Sequence, residues 1–343
     1  GNINILNSVI QGVYPGNETN VNANPKFIDS LINDYRLQDY SPAIGLGTAI
    51  TSITKDFEGN NKPLPAGSEP DAGAYENIFD HPAPFIDTDS SRNGVILLKM
   101  TQTPAGTVNK LNIYKGLTAA PTTKYKDTTL VSKYSDSLNS IFNKVIFYRM
   151  TSIGASNLES GYSNEIKTIS FTPPSLNFPT DLSVKADTNI NFQWEKIDNA
   201  TNYKIQYSTD SNFVNNVVEI AKTDTSHLKT SLVDNTSYFW RLQTLDSVHY
   251  SKWSNFKRFQ TFVRKPILNT ISTVNRVVTI NWSVNSLRNI KAFKIYRGTG
   301  TNPTTKIDSI SSANLTYNDS VTNGVKYYYR VTAVNIDNIE SLY

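Results

Sequence analysis

The side chains able to do chemistry in this sequence are mostly carboxylates. The first eighty residues carry Asp29, Asp34, Asp39, Asp56, Glu58, Asp71 and Glu76. Such a cluster suits a calcium ion, or a pair flanking a glycosidic bond at a separation of about 5–10 Å. It equally suits turn capping, in which Asp side chains accept hydrogen bonds from nearby backbone N–H groups, and capping is the reading adopted. Further on, Asp87, Asp89, Ser91 and Asn93 alternate as oxygen donors in a stretch ending at Gly94. A calcium loop of the EF-hand kind requires Gly at its sixth position and an acid at its twelfth. Arg92 and Leu98 stand there. A plain turn between strands therefore outweighs a calcium site through Asp87 and Asp89.

Other chemistries find no support. There is no cysteine, so no disulfide, thiolate metal site or thiol nucleophile exists. The three histidines, His81, His227 and His249, are far apart and none has a metal-ligand spacing. No Ser-His-Asp order, Gly-rich phosphate loop or His-Glu-x-x-His motif is present. No catalytic residue, cofactor site or cofactor is assigned. The net charge of +4 is spread along the chain without a basic run, which argues against a nucleic-acid partner. No apolar run is long enough to span a bilayer.

Two weaker constellations remain. Tyr250 and Trp253 form a candidate carbohydrate platform. The alternative is structural: Arg241, on the strand before, stacks on Trp253 as a cation–π pair. Asp-Ser-apolar tripeptides recur at Ser137, Ser247, Ser309 and Ser320. They resemble O-glycosylation acceptors of secreted Bacteroidota proteins, although Asp-Ser is also ordinary turn chemistry.

The elements that must position these residues are strands. Charged residues make up 18% of the chain, aromatic residues 11%, and there are 19 Tyr. Short segments of period-two alternation are separated by Asn, Asp, Gly, Ser and Pro clusters. Tyr327, Tyr329, Val331 and Ala333 form one inward set, and Tyr238, Trp240, Leu242 and Thr244 another. An internal repeat underlies this. The stretch 147–153 matches 328–334, and 111–124 matches 293–306, with a diverged middle copy. Arg149, Arg241 and Arg330 hold one place in the three copies, spaced 92 and 89 residues apart.

A strand-B Trp (Trp194, Trp282), a strand-C Tyr (Tyr114, Tyr203, Tyr296) and a strand-F Tyr-x-Tyr/Trp pattern resemble the fibronectin type III fold. The resemblance covers roughly residues 82–343. The first copy departs from it, since 95–100 lacks the Trp. The third copy stops at the counterpart of 157–162, so its last strand is expected beyond Tyr343. Pro-containing links at 79–85, 171–179 and 263–268 delimit domains at 81–172, 173–264 and 265–343.

Residues 1–80 differ. Asn24-Pro25 with Phe27 and Asp29, Tyr35-Arg36-Leu37, Ser41-Pro42-Ala43, Asp56 with Gly59-Asn60, and Asp71 to Glu76 resemble the last rung and cap of a pectate-lyase-like right-handed parallel β-helix. Phe27, Leu37, Ile44 and Leu46 are its expected inward residues, and its body is expected before Gly1. The fold class expected is thus all-β: the end cap of a right-handed parallel β-helix, then three fibronectin type III-like β-sandwiches in tandem. The combination resembles secreted Bacteroidota cell-surface proteins exported by type IX secretion. The resemblance implies a secreted or cell-surface location and a spacer or adhesion role. It also implies a polysaccharide or cell-surface ligand as partner, and secretion machinery engaged through a domain after Tyr343. Two other functions fit: a polysaccharide lyase or glycoside hydrolase active on rungs before Gly1, or carbohydrate binding by the sandwiches.

Overall fold

The computed structural model describes residues 6–12, 19–101 and 108–343. They divide into two compact units. The first is Gly1–Thr172 with Asp246–Lys252, and the second is Pro173–Leu245 with Trp253–Tyr343.

The first unit begins with a small irregular segment. Strands β1 (Phe27–Asp29) and β2 (Asp34–Leu37) pair antiparallel around a 3-10 turn at Ser30–Ile32. The turn is set locally: the Asp29 carboxylate accepts from the Leu31 N–H at 3.0 Å, and Asn33 takes the left-handed conformation at φ 61°. Leu37 and Ile44 are buried with Ala43 in a small core, while Phe27 is only half-buried. Leu31 is 93% exposed. Among the described residues, this segment has one antiparallel hairpin, one parallel bridge, Val9 to Val21, and one antiparallel bridge, Lys55 to Asn61. It is tied to the adjoining sandwich. The Ala83 N–H donates to the Asp39 carbonyl at 2.9 Å, and the Ser152 hydroxyl to the Pro82 carbonyl at 3.0 Å.

The first sandwich comprises β3 (Phe85–Arg92), β4 (Val95–Thr101), β5 (Val108–Gly116), β6 (Lys124–Thr129), β7 (Lys133–Ser137), β8 (Val145–Gly154) and β9 (Ile166–Ile169). One sheet has the order β3-β4-β7 and the other β6-β5-β8-β9. Alternation buries Ile146, Tyr148 and Met150 of β8 against Ile96, Leu98 and Met100 of β4. Met100 stands where the other copies have their strand-B Trp, which explains the missing tryptophan without a change of fold.

The second unit holds the other two sandwiches. The middle one has β10 (Leu176–Phe178), β11 (Ser183–Ala186), β12 (Ile190–Trp194), β13 (Asn202–Ser208), β14 (Val218–Lys222), β15 (Ser226–Lys229), β16 (Ser237–Leu245) and β17 (Lys257–Thr261). Their orders are β10-β12-β15 and β11-β17-β16-β13-β14. The third has β18 (Ile267–Leu268), β19 (Ser272–Val274), β20 (Val277–Ser283), β21 (Ile290–Gly298), β22 (Lys306–Ser311), β23 (Thr316–Ser320) and β24 (Tyr328–Asn335). Here β20 pairs with β18, β19 and β23, and the facing sheet is β22-β21-β24. Trp194 and Trp282 are buried as expected.

Two expectations need correction. Residues 87–94 are not a loop. Asp87 and Asp89 lie on β3, and only Asn93 and Gly94 turn, at φ 56° and 84°. Asn-Gly supplies the two left-handed residues of a two-residue hairpin whose twist matches its strands. The strand-C tyrosines are also not one set. Tyr114 opposes Arg149 and Tyr296 opposes Arg330, but Gln206, not Tyr203, opposes Arg241. Tyr203 lies three residues earlier, where its buried hydroxyl accepts the Ile197 N–H at 2.8 Å.

Candidate functional site

The arginine that marks the repeat does the same work in each copy. On β8, Arg149 lies 3.9 Å from the Tyr162 ring centroid, and on β24 Arg330 lies 4.7 Å from that of Tyr343. On β16, Arg241 sits between Phe213 at 4.1 Å and Trp253 at 4.7 Å. These distances suit cation–π contacts. Trp253 is therefore covered by its own sandwich. Tyr250 belongs to the first unit, where it faces Arg92 at 5.1 Å. The two aromatic rings are engaged separately.

The Asp-Ser corners carry a second recurring device. On β7, the Asp136 side chain is 3% exposed. It accepts from Lys115 Nζ at 2.6 Å and from the Tyr148 hydroxyl, with Tyr125 at 3.2 Å. On β23, Asp319 accepts from Arg297 Nη1 at 2.9 and 3.0 Å and from the Tyr329 hydroxyl at 2.7 Å. Burial and the adjacent carboxylate push both tyrosines well above the ordinary phenol range. A glutamate further along repeats too. Glu159 accepts from Asn112 at 2.8 Å, Tyr114 at 2.7 Å and Thr151. Glu340 accepts from Lys294 at 2.6 Å, Tyr296 and Thr332. Desolvation and then these glutamates push Tyr114 and Tyr296 up to about 12. Asp136 and Asp319 are thus internal ties. Ser137, Ser247, Ser309 and Ser320 are all exposed.

The N-terminal carboxylates are largely satisfied by their surroundings. Asp34 holds Arg36, and that hydrogen bond lowers its pKa. Asp56 accepts from the N–H groups of Glu58, Asn60 and Glu76. Glu76 receives Lys62 Nζ at 2.6 Å and the N–H groups of Leu64 and Asp71. Asp71 receives the N–H groups of Gly45 and Asn77, yet desolvation raises it to about 7. Among the described residues no group of three His, Cys, Asp or Glu is arranged to hold a metal ion.

The densest polar constellation was not legible in sequence. His249 places Nε2 2.8 Å from an Asp89 oxygen and Nδ1 2.9 Å from an Asp246 oxygen, with the Thr168 hydroxyl at 3.2 Å. The His249 side chain is 8% exposed. Asp246 is held by the N–H groups of Val248 and His249, at 2.8 and 2.7 Å. The Tyr250 N–H donates to the Ser91 carbonyl at 3.1 Å, forming a parallel bridge at Arg92. One calcium candidate, Asp89, and one sugar-platform candidate, Tyr250, thus meet at a single internal contact. Asp87 instead accepts from Thr101. The carboxylates sit at opposite ends of the imidazole ring, a geometry for clamping the ring rather than for sharing one ion.

No protein-family model matches the sequence, and no curated protein does. Among solved structures, similarity is found to the chicken CNTN1 FN1-FN3 domains. The identity is 11%, 76% of this chain and 95% of that one are covered, and the TM-score is 0.24. A two-domain fibronectin type III segment of chicken tenascin is also similar. There the identity is 18%, the coverages are 50% and 94%, and the TM-score is 0.37. The described sandwiches are all-β, each of two facing sheets, antiparallel apart from the pairing of β11 with β17. No helix among the described residues is long and apolar enough to cross a membrane.

Proposed function

We propose that this chain belongs to a secreted or cell-surface modular protein in which the fibronectin type III-like sandwiches act as spacers or adhesive modules. The observation that carries the reading is the reuse of one set of internal ties. The arginine clamp occurs in all three sandwiches, and the Asp–Tyr and Glu–Tyr ties in the first and third. These ties commit the polar and aromatic side chains to holding each module's shape, as an array that sets a distance or bears tension requires. In this reading residues 1–80 close a parallel β-helix, an idea supported by the Val9 to Val21 parallel bridge and the five submotifs. Export by type IX secretion follows from the same resemblance. Labelling intact producing cells and culture medium with an antibody against residues 82–343 tests the location. Signal that appears only after lysis overturns it. A glycan array with the same residues tests whether adhesion is to carbohydrate.

The four exposed serines are the positions at which such a protein would carry O-glycans. Intact mass of the native protein decides this, and a mass equal to the bare polypeptide removes the idea.

A further inference from the structure

A neutral imidazole has one N–H, whereas an imidazolium has two. At His249 both ring nitrogens face a carboxylate oxygen, at 2.8 and 2.9 Å. Two acceptors therefore compete for one donor whenever the ring is neutral, and both are served when it is protonated. The contact is also long-range: Asp89 lies on β3, Thr168 on β9, and His249 on Asp246–Lys252, which packs in the first unit. We propose that Asp246–Lys252 is a pH-dependent clip on the first sandwich, held while His249 carries both ring protons and slackened when one leaves.

The surroundings favour this device. β3 contributes Asp89 and, at the Tyr250 ring, Arg92. β9 contributes Thr168, while its exposed neighbour Lys167 alternates to the other face. The loop itself contributes Asp246, Tyr250 and an exposed Lys252. Burial pulls the imidazole pKa down, but the hydrogen bonds to Asp89 and Asp246 outweigh it, so the group lies above the ordinary histidine value. The matching carboxylates are pushed up by burial and brought below their ordinary values by the hydrogen bonds from His249. The sign follows. A raised histidine pKa adds stability that is complete below about 6.5 and is lost as pH rises through the folded value. The Tyr250 backbone bridge to Ser91 and the Arg92 contact do not involve the His249 ring, so the loop loosens rather than detaches.

Ring-proton NMR of the full chain, with His249 assigned from the His249→Gln spectrum, reads the titration directly. The midpoint is expected above 6.5 and is expected to fall in Asp89→Asn. Trypsin cleavage after Lys252 reads the clip itself. The wild-type rate, divided by that of His249→Gln at the same pH, removes the protease's own pH dependence. The ratio is expected to be lowest near pH 5.5 and to rise towards pH 8.5. The rise should be about tenfold for each pH unit separating the closed midpoint from 6.5. A midpoint at or below 6.5, or a ratio that does not change with pH, overturns the proposal. If His249→Gln fails to fold, the Asp89→Asn chain serves as the reference.

Discussion

The first and third sandwiches solve one packing problem with charge, and the middle sandwich solves it with aromatic rings. Register makes the comparison position by position. Lys115 opposes Tyr148, Arg297 opposes Tyr329, and Tyr207 opposes Trp240. On β7, β23 and β15 the facing residue is Asp136, Asp319 or Lys229, opposite Ile96, Val278 or Ile190. Cation, carboxylate and tyrosine in the outer copies become tyrosine, lysine and tryptophan in the middle one. All three positions change together. In the middle copy Phe192 stacks on Tyr207 at 5.5 Å and packs on Trp240 at 5.1 Å and Phe259 at 5.9 Å. The lesson is that a buried ion pair is not required at this place in the fold. Well-packed apolar groups can replace it at little or no cost, but half a pair cannot stand.

The largest expected effect comes from that last clause. Asp136→Ala leaves the Lys115 ammonium, 10% exposed, and the Tyr148 hydroxyl without their shared acceptor. The expected loss is about 3–5 kcal/mol in the first sandwich, measured by urea unfolding. Asp319→Ala should cost less, because Arg297 is 30% exposed and can be rehydrated. Equal losses at the two sites would break the account based on burial.

Next comes a transplant into the middle sandwich. Lys229→Asp alone places a carboxylate beside an aromatic cluster with no cation opposite, and should cost about 1–3 kcal/mol. Tyr207→Lys and Trp240→Tyr should each destabilise as well. The triple substitution recreates the outer triad and should lose less than the sum of its parts. Simple additivity, read from the same unfolding curves, would show that the three positions do not act as a unit.

How much of this could be read without coordinates depends on the range of the contact. The Arg241–Trp253 contact was legible, because the two residues lie 12 apart, on β16 and in the loop after it, whereas the rings of Tyr162 and Tyr343 on Arg149 and Arg330 carry no tryptophan to mark them. The strand-C register differs from the expected one by three residues. The middle copy has Gln206 where the others have tyrosine, and Tyr203 offers a nearby false match. Asn93-Gly94 carries the hairpin signal in full, but the alternating oxygens of 87–93 mimic an ion site. The clip at His249 leaves no local trace, since its partner Asp89 is 160 residues away. Of the inward residues expected in the N-terminal segment, Leu37 and Ile44 are buried and Phe27 and Leu46 half-buried, and the parallel pairing among the described residues is the Val9 to Val21 bridge.

A third test exploits a residue that differs among the copies. Tyr134, Tyr317 and His227 lie two residues before Asp136, Asp319 and Lys229, opposite Leu98, Ile280 and Phe192. His227 stacks against Phe192 and Tyr207, and its Nε2 is buried without a partner. Burial, then Lys222 and Lys229, lower its pKa. The folded middle sandwich therefore binds this proton less readily than the unfolded chain. Its stability is complete above about 6.5 and falls as pH drops through the lower folded value. His227→Tyr, the outer copies' residue, should flatten that acid slope. An unchanged slope between pH 7 and 4.5 would place the acid sensitivity elsewhere.

The smallest effect concerns the glutamate tie shared by the outer copies and absent from the middle one. Glu159→Gln keeps the shape and one acceptor oxygen but removes the charge. The Tyr114 hydroxyl and Thr151 retain a neutral partner, so the cost should be only about 0.5–1.5 kcal/mol. The diagnostic change lies at high pH. With Glu159 present, desolvation and the neighbouring carboxylate hold Tyr114 at about 12. The raised value adds stability below about pH 10 that disappears as pH rises towards 12. Removing the charge should bring one tyrosine back towards the ordinary range in ultraviolet titration. Glu340→Gln should do the same for Tyr296. Two tyrosines that titrate unchanged in both variants would mean that burial alone sets their acidity. The glutamates would then be spacers between strands rather than electrostatic ties.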